Sequence, residues 1–165
     1  MTSFPFAIVG FDLDGTLLDT SPDLTAAVNH ALVAGGRKPL TPEQVKPMIG
    51  GGAKVMLERT LAETGGCEPE EFRRLYKLLL GYYADHLAVR TRPFPGALEA
   101  LDALAGLGVT LAVVTNKFEA FATSLLDQLG LSSRFACIIG GDTMGKGNAK
   151  PSPAPIHEMI ARCGG

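Results

Sequence analysis

Three short apolar runs interrupt a sequence whose remaining apolar residues recur at helical spacing. Ala7 to Phe11, Val109 to Val114 and Phe135 to Ile139 each stop abruptly in polar residues: Asp-Leu-Asp-Gly-Thr after the first, Thr-Asn-Lys after the second, Gly-Gly-Asp after the third. Runs of this kind predict buried strands that deliver polar groups at their C-terminal ends. Pro95 to Leu107 and Phe118 to Leu129 are amphipathic and are closed by Gly108 and Gly130 in the positions of helix C-caps. Strands alternating with helices of this length imply βαβ units, so the expected class is α/β with a Rossmann-like parallel sheet.

The interval from Leu18 to Thr91 has another character. Ser21-Pro22 and Thr41-Pro42 each place a capping residue before a proline at the first helical position, and Gln44 stands three residues after Thr41, as a capping box requires. Helical periodicity continues through Ala53 to Leu61 and Phe72 to Leu87, and no convincing strand is found there. The expected organisation is a core made of residues 1–17 and 92–165, with a helical cap of residues 18–91 inserted after the first strand. Arg90 to Pro95 form the returning linker.

Composition narrows the function. A chain of 165 residues with 46% hydrophobic and 19% charged residues suits an ordinary globular protein, and a formal charge of −2 offers no basic field for nucleic acid. Phe4 to Phe11 is too short to span a bilayer and lacks the basic flank of a signal peptide. A cytoplasmic monomer or homodimer without nucleic-acid or membrane partners is expected. Cys67, Cys137 and Cys163 are odd in number and widely spaced, which suggests reduced thiols packed as small hydrophobes.

The chemistry gathers at Asp12-Leu13-Asp14-Gly15-Thr16-Leu17. Two carboxylates two residues apart at a strand end can face the same way, one attacking while the other handles protons. Gly15 permits a tight turn that brings backbone amides toward an anion. An EF-hand calcium loop fits less well, since it needs a Glu at its twelfth position, which here is Asp23.

This segment resembles the first signature of the haloacid-dehalogenase superfamily. Val113-Val114-Thr115-Asn116-Lys117 resembles the second, and Lys150-Pro151-Ser152-Pro153 the third. The resemblance extends over the whole chain, and Asp19 to Leu24 together with Thr-Asn-Lys are most similar to its phosphoglycolate phosphatases. It implies that Asp12 attacks phosphorus and that Asp14 protonates the leaving alkoxide, a proton that a dehalogenase does not need. It further implies that Thr115 donates to a phosphate oxygen and Lys150 neutralises charge. Leu13, Gly15, Thr16 and Asn116 would surround the phosphate. Mg2+ would be held by the Asp12 carboxylate, the backbone carbonyl of Asp14, the phosphate and waters. The implied partner is a small phosphorylated metabolite, 2-phosphoglycolate first, with another sugar phosphate or a phosphomutase reaction as the alternative. A fourth motif normally adds one or two metal-binding aspartates and is expected beyond Gly165. The sheet is thus expected to be incomplete on that side, and an inactive fragment or a non-catalytic binding protein is the alternative from another class.

Four features compete with these assignments. Lys146 is a rival to Lys150, but does not adjoin the Pro-Ser-Pro that opens the next helix. Gly140 to Gly147 comes within one residue of a P-loop, whose last position must be Ser or Thr to hold magnesium. Gly50-Gly51-Gly52 is either a hinge or a glycine-rich helix entry at which Gly51 and Gly52 present amides to a substrate anion. Asp142 follows the third strand and precedes the lysine motif, so it is not taken as a metal ligand.

Overall fold

The computed structural model describes residues 4–165. In chain order the elements are β1 (Ile8–Phe11), β2 (Leu18–Asp19), α1 (Ser21–Ala34), α2 (Pro42–Val45), α3 (Ala53–Glu63), α4 (Pro69–Asp85), β3 (Arg92–Pro93), α5 (Ala97–Gly106), β4 (Thr110–Val114), α6 (Glu119–Gln128), β5 (Cys137–Ile139) and α7 (Ala154–Arg162). The three apolar runs form a parallel sheet in the order β1-β4-β5, with Phe11 opposite Val113 and Val114 opposite Ile139. This register brings the ends of β1 and β4, and with them Asp12 and Thr115, to one rim of the sheet.

From Leu111 onward β4 is apolar because both of its faces are covered. Leu111 and Val113 join a large core with Leu101, Leu125 and Leu126, while Ala112 and Val114 pack with Ile139 and Met159 of α7 on the other face. Successive strand residues point to opposite faces, so a strand between two helical layers has no polar alternation left. Among the described residues β1 has a strand neighbour on one side only.

The helical interval holds a two-stranded antiparallel pairing that the apolar pattern did not predict: Leu18 lies opposite Pro93 and Asp19 opposite Arg92. These four residues stand where the chain leaves the core and returns to it. Two-residue strands carry no periodicity, and a proline in one of them argues locally against a strand, so the pairing is decided by the meeting of the two crossovers. A buried carboxylate fastens the same place. Asp23 accepts from the backbone N–H groups of Arg90 and Thr91 and from the Thr91 hydroxyl, at 2.8–3.1 Å.

α1 and α4 form the body of the inserted region. Leu75, Leu79 and Tyr83 recur at four-residue spacing and are fully buried, facing Leu24, Ala27, Val28, Ala31 and Leu32. Each such large apolar side chain taken from water stabilises the structure by about 1.5–3 kcal/mol. The capping box at Thr41 and Gln44 forms as expected. α1 differs: it begins at Ser21, one residue early, and its N-cap residue Thr20 makes no cap bond, because its hydroxyl is used in the site.

Candidate active site

The segment after β1 is organised by alternation. Leu13, Leu17 and Leu18 are buried in the core, which anchors the loop and leaves Asp12 and Asp14 on its other side. The loop folds back on itself through three bonds: Gly15 N–H to Leu18 O at 2.9 Å, and Thr16 N–H and Leu18 N–H to Leu13 O, both at 3.1 Å. Gly15 has φ of +78°, a conformation that a Cβ disfavours. The amides of Gly15 and Thr16 are therefore taken up by the turn itself, so what either residue offers a phosphate is its place beside the turn and not its amide. The amides of Leu13, Asp14 and Asn116 donate to no protein acceptor among the described residues. Leu13 can meet a phosphate through that amide alone, since its side chain lies in the core.

Each aspartate is paired with a lysine at 3.1 Å, in contrasting surroundings. Lys150 Nζ lies 3.1 Å from Asp12 Oδ1 and donates to the Val114 carbonyl at 2.7 Å, with the two side chains 28% and 31% exposed. Lys117 Nζ lies 3.1 Å from Asp14 Oδ1 with side chains only 5% and 11% exposed. Lys117 also donates to the Tyr83 hydroxyl at 2.8 Å and sits 4.5 Å from the centre of that ring. The Thr20 hydroxyl donates to the same Asp14 Oδ1 at 2.6 Å. Burial, the largest single influence on Lys117, pushes its pKa down, but the Asp14 charge and Tyr83 together push harder, and the ammonium titrates above the ordinary lysine value. Burial likewise raises the Tyr83 phenol, with Lys117 opposing. In the sequence Lys117 has no role beyond completing its motif. Neither it nor Thr20 and Tyr83 carries a signal of function in isolation, and only the tertiary fold joins the three, through Asp14 and the Lys117–Tyr83 contact.

The structure places the other expected residues as follows. Thr115 is buried at the end of β4, and its hydroxyl oxygen accepts from the Lys117 N–H at 3.1 Å, which shapes the turn that presents Lys117. The Asn116 side chain donates to Gly50 O at 3.1 Å and Lys150 O at 3.2 Å, tying the inserted region, β4 and the loop before α7 together. Its buried Oδ1 has no partner among the described residues. Gly51 and Gly52 line a cavity of about 470 Å³ with Asp14, Lys54, Asn116, Lys117 and Lys146, between walls that include Val55, Tyr76 and Phe121. Asp12, Thr115 and Lys150 do not belong to that lining.

The competing features resolve physically. Lys150 reaches Asp12, whereas Lys146 is exposed on the cavity wall. The glycines after β5 serve close packing: a Cβ on Gly141 would lie 2.5 Å from Asn116 O, and one on Gly140 would lie 2.3 Å from Glu119 N. Asp142 accepts from the Glu119 N–H at 2.8 Å and so caps the start of α6. Cys137 and Cys163, far apart in sequence, meet with sulfurs 3.7 Å apart, and all three cysteines are free.

The donor set suits a hard cation. Asp12 keeps its Oδ2, and Asp14 its backbone carbonyl, without a protein donor among the described residues, and oxygen ligands few in number leave the waters that Mg2+ retains. No cluster of three or more His, Cys, Asp or Glu residues is found among the described residues. No helix among them is long and apolar enough to cross a membrane.

A parallel α/β core with an aspartate pair and two lysines at one rim, facing a helical insertion, defines a haloacid-dehalogenase-type hydrolase. The chain belongs to that family: residues 9–164 match the haloacid dehalogenase-like hydrolase family. It is 41% identical over 167 residues to a phosphoglycolate phosphatase of Agrobacterium fabrum, covering 100% of this chain and 71% of that one. It is 44% identical over 160 residues to phosphoglycolate phosphatase 1 of Pseudomonas aeruginosa, covering 95% and 58%. A solved structure from Haemophilus somnus, described as a predicted phosphoglycolate phosphatase, superposes with a TM-score of 0.85 at 33% identity, covering 96% and 72%. The chain thus spans between 58% and 71% of the length of these two curated relatives.

Proposed function

We propose that the protein hydrolyses a small phosphomonoester through an aspartyl-phosphate on Asp12, with 2-phosphoglycolate as substrate. The observation that carries this reading is the pair of aspartates with opposite surroundings. Asp12 stands at the half-exposed strand end beside Lys150, accessible to a phosphoryl group, while Asp14 is enclosed beside Lys117 and Thr20. In the first half-reaction an Asp12 oxygen forms a bond to phosphorus as the bond from phosphorus to the leaving oxygen breaks, and Asp14 gives that oxygen a proton. In the second, water attacks the phosphorus of the acyl phosphate, Asp14 takes the water's proton, and the Asp12 carboxylate is released. Lys150 lowers the cost of bringing a phosphate dianion to a carboxylate, and the amides of Leu13, Asp14 and Asn116, which lack a protein acceptor among the described residues, receive equatorial oxygens with the Thr115 hydroxyl.

Mg2+, held by the Asp12 carboxylate and the Asp14 carbonyl, would supply further positive charge to the phosphoryl oxygens. Residues 18–91 act as the cap that closes over the core and selects the leaving group. The relatives named as phosphoglycolate phosphatases support this substrate. The test is acid quenching of the protein during turnover of labelled 2-phosphoglycolate in the presence of Mg2+. An acid-stable, hydroxylamine-labile label on Asp12, missing in Asp12→Asn, is expected; turnover with Asp12→Asn at the native rate overturns the mechanism.

A further inference from the structure

The ammonium of Lys117 has three N–H groups, and the structure accounts for two. One faces Asp14 Oδ1 at 3.1 Å and one the Tyr83 hydroxyl at 2.8 Å, and no third oxygen acceptor approaches it among the described residues. The residue is buried yet borders the 470 Å³ cavity, so its remaining donor is a fixed, desolvated charge next to open space. The other cations around the cavity lack that character. Lys54 is exposed and 3.8 Å from Glu58, and Lys146 is exposed on a turn. Solvated, flexible charges of this kind discriminate weakly.

We infer that Lys117 receives the carboxylate of the substrate and is thereby the residue that selects phosphomonoesters bearing a carboxylate beside the ester carbon. The inference rests on the proposed reaction and follows from distances. An acid that protonates the leaving oxygen lies about 3 Å from it. In 2-phosphoglycolate the carboxylate is one methylene removed from that oxygen, so a carboxylate oxygen lies roughly 3 Å away from it. A leaving group addressed by Asp14 therefore carries its carboxylate into reach of an ammonium standing 3.1 Å from Asp14. The Gly50 to Gly52 turn lines the same cavity and brings no side chain to compete for the space. Tyr83 is a positioning residue: its hydroxyl and ring hold the Lys117 ammonium in place.

The experiment compares kcat/KM for 2-phosphoglycolate and for ethyl phosphate, which has the same ester carbon without the carboxylate. A site that pairs a buried polar group with substrate rejects the analogue lacking it by roughly 10³-fold or more. Lys117→Met is expected to bring that ratio to within about tenfold of unity, with the loss concentrated on 2-phosphoglycolate. Tyr83→Phe is expected to lower the ratio partway, mainly through KM, and serves as the second variant should Lys117→Met fold poorly. An equal fall on both substrates makes Lys117 a support for Asp14 alone and overturns the inference, as does an unchanged ratio. A wild-type protein that turns over both esters without preference instead defeats the assignment of 2-phosphoglycolate. Should neither ester be turned over, the proposed phosphatase reading fails. Calorimetric binding of the two esters to Asp12→Asn, with and without Lys117→Met, then decides the inference alone: tighter binding of 2-phosphoglycolate that depends on Lys117 supports it, and equal binding rejects it.

Discussion

Two lysine–aspartate pairs of equal length, 3.1 Å, stand at the rim of one sheet, yet they are different physical objects. Lys150 and Asp12 are half-solvated, come from the loop before α7 and the end of β1, and are held beside a backbone carbonyl. Lys117 and Asp14 are largely buried at the edge of the 470 Å³ cavity, with a phenol and a threonine hydroxyl as further partners. Water screens the first pair. The second is in a low-dielectric setting, where removal of one partner leaves an uncompensated charge. Separation alone says little about what an ion pair contributes; its surroundings decide that.

The largest expected contrast is in turnover. Asp12→Asn should lower kcat by roughly 10⁴-fold or more, as loss of a nucleophile does. Asp14→Asn should cost roughly 10²–10⁴-fold while substrate still binds. Single-turnover kinetics with acid quench separates them, and equal residual rates would erase the distinction between the two aspartates.

Stability should rank the pairs in the opposite order. Asp14→Ala leaves the Lys117 charge buried and is expected to destabilise by about 3 kcal/mol. Asp12→Ala should change stability by less than about 1 kcal/mol. Urea denaturation checks both, and a larger loss for Asp12→Ala would show that burial is not the deciding variable.

Alkaline pH acts on the buried pair through linkage. Lys117 and Tyr83 both titrate above their ordinary values of 10.5 and 10.0, so above these values the folded state holds protons that the unfolded state has released. Their contribution is complete below pH 10 and is lost as pH rises through the raised values. Urea midpoints should therefore fall from pH 10 upward, and the slope should be smaller in the Lys117→Met, Tyr83→Phe double variant.

The smallest effect is expected at the half-solvated pair. Lys150→Met should alter stability by less than about 1 kcal/mol, and 1 M NaCl should remove most of that difference because the Debye length is then about 3 Å. The Asp14→Ala deficit should persist in the same salt. Matched denaturation curves at low and high salt measure both.

Much of the molecule is legible in its sequence because the signals are local. The α/β class, β1, β4, β5 and the helices between them follow from runs and periodicities, and the Asp12 and Asp14 motif follows from spacing at a strand end. The Leu13-Leu17-Leu18 anchor is legible in retrospect, since apolar residues beside the aspartates must be buried somewhere. The β2–β3 pairing was not legible, because two dipeptides more than seventy positions apart carry no periodic pattern. Thr20 looks like one more residue beside a helix start, and its hydroxyl is used on Asp14 instead. Gly15 and Thr16 read as neighbours of a phosphate, and only the folded turn shows that their amides are taken up within it. Lys117 in a Thr-Asn-Lys run and Tyr83 in an amphipathic helix are each ordinary. Only the tertiary fold brings Tyr83 of α4 to the turn after β4, buries the two together at the edge of the cavity and raises the lysine's pKa. Sequence spacing determines which groups share an element and a face. Which charges lose their water depends on how separate elements close over one another, and that was decided by the tertiary structure.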